Sequence, residues 1–214
     1  MSQKLLDFTQ PFKNIVWDWN GTLLNDLDVV MQVEAEHFPH YGITPPSLEL
    51  RNQLFCFPVQ KYYEKLGFDF TQHAFSDVNN HFHEIYERLL LETPLFEGSH
   101  QILGELQAQN KRQFVLSAAS QAHLEEITKR RQVQNYFQGI YGLAHNDADT
   151  KVGRGRELIA EHALIPSETL MIGDTAHDFE VGRELGFEVL LIADGHNPYE
   201  RLVQVHPHVL RSRY

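Results

Sequence analysis

Apolar and polar positions follow two rhythms along this chain. Short continuous apolar runs recur at Asn14 to Asp18, Arg112 to Ser117, Gly139 to Leu143, Thr169 to Asp174 and Glu188 to Ile192. That is the pattern of strands buried on both faces. Between them the apolar residues fall on one helical face, over residues 99–109, 121–131, 155–163 and 176–185, the last closed by Gly186. Alternation of this kind predicts an α/β fold, a doubly wound parallel sheet of Rossmann-like form.

Residues 25–94 break the alternation. Leu27, Val30, Met31 and Glu34 to Phe38 predict an amphipathic helix stopped near Pro39 and Gly42. Ser47 is placed to cap a short helix over 48–55, and Pro58 to open another that runs to Leu66 and stops at Gly67. A long helix is expected over 71–91, with Phe75, Val78, Phe82, Ile85, Tyr86 and Leu89 on one face. The expected organisation is therefore a core of residues 1–24 and 95–214, interrupted by an all-helical cap domain at 25–94. Residues 1–13 read as a polar lead-in, and His206-Pro207-His208 as an extended end.

Composition narrows the partners. A net charge of −11 argues against non-specific nucleic-acid binding, which needs a basic surface. The single cysteine, Cys56, leaves no intrachain disulfide and fits a reducing compartment. The first residues lack the apolar stretch of a secretory signal, and no run approaches membrane-spanning length. The expectation is a cytoplasmic monomer or homodimer with no membrane or nucleic-acid partner. The 13 histidines are scattered, and His81 and His83 point to different helix faces, which predicts no histidine metal site.

The candidate chemistry lies at the strand ends. Asp18, Ser117 and Asp174 each terminate an apolar run, and Lys151 follows the polar loop Asn146-Asp147-Ala148-Asp149-Thr150 before a helix. Strand ends of a parallel sheet meet along one edge, where such sheets bind ligands. Two carboxylates, a hydroxyl and an ammonium suit Mg2+, a hard cation, together with a phosphoryl group. The backbone amide of Ala118, at the start of the next helix, can add to the phosphoryl contacts. Asp178 lies one helical turn past Asp174, placed to hold the lysine or a metal-bound water. Asp18 can act there as nucleophile or metal ligand.

Taken together, the motifs Asp18-Trp19-Asn20-Gly21-Thr22, Ser117, Lys151 and Gly173-Asp174-Thr175-Ala176-His177-Asp178 resemble those of the haloacid dehalogenase-like hydrolase superfamily. The resemblance spans Asn14 to about Ile192, and the helical insert resembles the cap of its phosphoglycolate-phosphatase-like branch. It implies a magnesium-dependent phosphomonoester hydrolase acting on a small-molecule phosphate ester. Asp18 would attack phosphorus and form an aspartyl-phosphate. Asp174 would hold the metal with Asp18 and the backbone carbonyl of Asn20, while Ser117 and Lys151 would bind the phosphoryl group.

One position departs from the family. The residue two beyond the nucleophile is usually a second Asp that protonates the leaving oxygen, and here it is Asn20. An amide does neither half of that job near neutral pH, and general acid–base help is worth about 10²–10⁴-fold in rate. Three readings follow: a slow phosphatase dependent on good leaving groups, recruitment of another group such as His177, His37 or His73, or a phosphate-binding or regulatory protein without turnover. A phosphotransferase or mutase is a further alternative, and Asn20 counts against it. In the cap, Arg51 is the residue expected to bind a substrate carboxylate or second phosphate. The segment Asp194-Gly195-His196-Asn197-Pro198 follows the last strand and is expected to shape the rim of the site.

Overall fold

The computed structural model describes residues 3–143 and 150–213, so the expected loop residues 146–149 lie outside the described residues. The chain divides into two compact units, Met1–Asn25 with Pro94–Tyr214, and Asp26–Thr93.

The first unit begins with a short helix that the polar lead-in did not announce. Helix α1 (Gln3–Thr9) turns Leu5 and Thr9 inward. Strand β1 (Asn14–Trp17) follows, with every residue buried, as a central parallel strand requires. The chain then runs through the second unit, whose elements are α2 (Leu27–His37), α3 (Leu48–Leu54), α4 (Val59–Leu66) and α5 (Phe75–Leu90). Ser47 caps α3 by accepting a hydrogen bond from the Leu50 amide at 3.2 Å. Gly67 ends α4 at φ +100°, in the left-handed region that favours glycine. Helix α5 starts later than its spacing predicts. Asp69 accepts hydrogen bonds from the Thr71 amide and hydroxyl, at 2.9 and 2.7 Å, and this turn competes with the helix. Phe38, Phe55, Tyr62, Tyr63, Phe68 and Val78 form the core of the helical unit.

Back in the first unit come α6 (Ser99–Ala108), β2 (Arg112–Ser120), α7 (Gln121–Arg130), β3 (Gly139–Leu143) and α8 (Lys151–His162). They are followed by β4 (Thr169–Gly173), α9 (Ala176–Leu185), β5 (Glu188–Ile192), α10 (Tyr199–Val205) and β6 (Val209–Leu210). Among the described residues, six strands form one sheet in the order β3-β2-β1-β4-β5-β6. Each neighbouring pair is parallel, which makes the α/β class plain. Strand β1 lies between β2 and β4, with Trp17 opposite Val115 and Ile172. The residues just past those positions leave the sheet at one edge. Helix α8 starts at Lys151, four residues earlier than expected, because the Thr150 hydroxyl accepts from the Gly153 amide at 3.0 Å and caps it. The tail is more ordered than its sequence suggests. It forms α10 and then a short strand whose Val209 and Leu210 lie opposite Leu191 and Ile192. No helix among the described residues is long and apolar enough to cross a membrane.

Candidate active site

Asp18 leaves β1 with its amide donating to the Ile172 carbonyl at 2.8 Å, which continues the parallel ladder one residue beyond the strand. Its carboxylate therefore emerges beside the end of β4, where Gly173 leads into Asp174. Asp18, Asp174 and Asp178 are all buried, and each offers an oxygen within 4.8 Å of the others.

Lys151 occupies the first position of α8, where the helix dipole disfavours a cation. The two carboxylates outweigh that effect. The ammonium donates to Asp18 Oδ1 and to Asp178 Oδ1, the latter at 2.6 Å. Asp178 in turn is fixed by the start of α9. Its Oδ2 accepts from the Thr175 amide and hydroxyl at 2.9 and 2.7 Å and from the Asp174 amide at 3.2 Å, which forms a capping box with Thr175. Both Asp178 oxygens are thus engaged, one by the lysine and the other by the start of α9.

Both oxygens of Asp174 are held as well. Its Oδ2 accepts from the His196 amide at 2.6 Å and its Oδ1 from the Thr22 hydroxyl at 2.9 Å. The same hydroxyl lies 3.3 Å from Asp18 Oδ2, so Thr22 stands between the two carboxylates. A methyl group on Gly21 or on Gly195 would collide with Asp174 Oδ2, so two backbones close tightly around this oxygen. Gly21 also has φ +71°.

The electrostatics follow from burial without compensation. Three carboxyl groups crowd around one ammonium, so full ionisation would leave two negative charges in excess. Burial, and then the Asp178 charge, pushes Asp18 up to about 8 despite Lys151. Burial raises Asp174 to about 6, against the opposing influence of His196. Burial works against ionised Asp178 too, but the lysine and the Thr175 hydrogen bonds hold it below the usual carboxylate range. Burial opposes a charged Lys151, and its two carboxylates outweigh that and raise it. A cradle with two surplus negative charges and only hard oxygen donors fits a divalent cation.

Ser117 is buried near the end of β2, with its Oγ accepting from the Ala119 amide at 3.1 Å. Ala118 is exposed beside it, and α7 begins only at Gln121 behind its cap Ser120. Asn20 lies half-buried in the turn after Asp18. Arg51 belongs to the helical unit. There it is 1% exposed, 3.3 Å from Glu34 Oε1 and stacked on Phe55, so its charge is already met inside the fold. The expectation of a substrate contact did not foresee this pairing.

The histidines also turn out differently. His37 Nδ1 and His81 Nδ1 lie 3.1 Å apart in the helical unit, with the Tyr41 hydroxyl 3.3 Å from the latter. They are scattered in sequence and gathered by helix packing. His177 faces Glu180 at 3.3 Å, whereas the histidine packed against Gly21 is His196, from the segment expected at the rim. Thr22, His196 and Arg213, which donates to the Thr22 carbonyl, are parts of the site that the spacing of strand-end residues does not reveal.

Known proteins share this fold. A phosphoglycolate phosphatase of Synechococcus elongatus is 23% identical over 195 residues, 90% of this chain and 89% of that protein. A haloacid dehalogenase-like family hydrolase of Streptococcus pneumoniae superposes with a TM-score of 0.81 at 21% identity, over 94% of this chain and 93% of that one. CbbY of Rhodobacter sphaeroides, solved in complex with phosphate, gives a TM-score of 0.70 at 16% identity, over 94% of each chain. The sequence profile of the haloacid dehalogenase-like hydrolases matches residues 15–192, and the chain belongs to that family.

Proposed function

We propose that this hydrolase is a magnesium-dependent phosphatase of a small phosphorylated molecule, working through an aspartyl-phosphate on Asp18. The observation that carries the reading is the surplus of buried negative charge around Asp18 and Asp174, beside a lysine. The phosphatase named among its relatives and the phosphate held by the Rhodobacter protein support it.

Asp18 and Asp174, with the carbonyl of Asn20, would hold the ion. When bound it supplies positive charge that keeps Asp18 ionised and offsets charge on the phosphoryl oxygens. Asp18 attacks phosphorus, the P–O bond to the leaving group breaks, and water then attacks the aspartyl-phosphate to release inorganic phosphate. Lys151 and Ser117 bind the phosphoryl oxygens, and Asp178 holds Lys151 in place. Asn20 has no acidic proton to give, so the leaving oxygen departs with little help. Aryl phosphates should therefore turn over faster than alkyl ones. We assign the helical unit, residues 26–93, the role of a cap that selects the substrate.

The test is phosphate release from aryl and alkyl phosphates with magnesium, comparing wild type, Asp18→Asn and Asn20→Asp. Aryl turnover that Asp18→Asn abolishes supports the hydrolase. A silent wild type that Asn20→Asp awakens would favour the second reading, a disarmed phosphate-binding protein, which Asn20 itself motivates.

A further inference from the structure

Arg213, the last described residue, is 5% exposed. Its guanidinium reaches across the sheet edge to the turn after Asp18. One nitrogen donates to the Thr22 carbonyl, and another to the Gly21 carbonyl at 3.3 Å. Asp194 holds the guanidinium from the other side, accepting from Nη2 at 2.6 Å and from Nε at 3.0 Å. Asp194 also accepts from the Arg213 amide at 3.1 Å. The Phe96 ring stacks on the guanidinium at 3.4 Å, and the Phe96 amide donates to the Leu23 carbonyl at 2.9 Å. Three consecutive carbonyls of the turn are thus gripped by one cluster.

We propose that Arg213 is a positioning residue for the phosphatase reaction, by which the C-terminal strand completes the active site; this rests on the proposed function. Thr22 links the cluster to the chemistry: Arg213 fixes its carbonyl, and its hydroxyl stands between Asp18 and Asp174. The segment 194–198 is tied in the same way. Asp194 meets Arg213, and two residues later the His196 amide meets Asp174. Strand β6 makes this possible, because its parallel pairing with β5 delivers Arg213 to the edge where Asp18 emerges. A planar fork that donates to two carbonyls and a carboxylate together cannot be replaced by a lysine, which is a point donor.

The experiment compares wild type with Arg213→Met and Arg213→Lys by aryl phosphate kinetics and by amide hydrogen exchange at residues 19–24. In Arg213→Met, kcat should fall about 10²-fold with KM within about threefold, since a misplacement of an ångström costs that much. The amides of Thr22, Leu23 and Leu24, which donate to the Trp19 carbonyl, should exchange about tenfold faster or more. Arg213→Lys should recover only part of kcat. Leu202→Ala, a core change in α10, should lower thermal stability while kcat well below the melting temperature stays within about twofold. If Arg213→Met does not fold, Asp194→Asn releases the same guanidinium and should move both readouts in the same direction. Wild-type kcat with unchanged exchange at 19–24 would overturn the proposal and leave Arg213 as an anchor of the tail. A wild type silent on every ester would count against the proposed function instead, and exchange at 19–24 would still decide whether Arg213 fixes the turn.

Discussion

Each unit of this protein buries a cluster of charges, and the two clusters are balanced differently. In the helical unit Glu34 meets Arg51 at 3.3 Å and accepts from the Tyr62 hydroxyl at 3.1 Å, so one negative charge faces one positive charge and a neutral phenol. In the sheet unit three aspartates crowd together, Lys151 pairs with two of them, and His196 lies near the third. Desolvation penalises both clusters, but only the second leaves charge that the protein itself does not cancel. A balanced buried pair serves the fold, whereas a surplus calls for a ligand of the opposite sign. The residue type alone did not separate them. Arg51 meets one carboxylate, whereas Lys151 meets two and leaves a third beside them.

The largest effect should come from the surplus side. Asp18→Asn should reduce phosphate release by more than about 10³-fold, because it removes the nucleophile. It should also raise the melting temperature of the ion-free protein near neutral pH, by removing a buried carboxyl whose ionisation burial opposes. A variant that loses activity and stability together would break the contrast. Next, Asn20→Asp should raise alkyl phosphate turnover by about 10²–10⁴-fold, with a smaller gain on aryl esters.

On the balanced side, Glu34→Gln leaves Arg51 buried beside a neutral partner and should cost about 3–5 kcal/mol in a denaturant titration. The double change Glu34→Leu with Arg51→Met should recover most of that. If the double variant regains stability but KM rises more than tenfold, Arg51 has a substrate role as well.

Effects of pH are graded rather than all-or-none, and the two units should respond with opposite signs. Asp18 and Asp174 are raised to about 8 and about 6, so the folded ion-free chain keeps protons that the unfolded chain has already lost. The stability they contribute is present at low pH and is lost as pH rises through about 6 and about 8. The melting temperature should therefore fall between pH 5 and 8 without magnesium, and the rise on adding magnesium should grow with pH. His37 is lowered from 6.5 to about 4 by burial, then by His81 and His40. Below 6.5 the unfolded histidine takes up a proton that the folded one refuses. The helical unit should then lose on the order of 3 kcal/mol as pH falls toward 4. Hydrogen exchange resolved by region would separate the two trends, and a common sign in both units would contradict them.

Local pattern foretold the strands and most helices, because a buried parallel strand and an amphipathic helix each imprint their own period. It also placed Asp18, Lys151, Asp174 and Asp178, since strand ends and helix starts are local features. It missed what depends on distant partners. Arg213 meets Thr22 from the far end of the chain, and no periodicity marks such a pair. Strand β6 is too short to show alternation, and α1 is a brief polar stretch whose inward face is small. The cap histidines and the Glu34–Arg51 pair became visible only when separate helices met. In the motif around Asp18 one signal for Thr22 was present, a hydroxyl just behind the carboxylate, but its bridging position needed the fold.

The central claim is that the surplus charge is a cation site. Calorimetric titration of magnesium into the wild type and into Asp174→Asn, at pH 8 where Asp174 is ionised, tests it most directly. One ion should bind per wild-type chain, with no measurable binding by Asp174→Asn. No binding by the wild type, or equal binding by the two proteins, would contradict it.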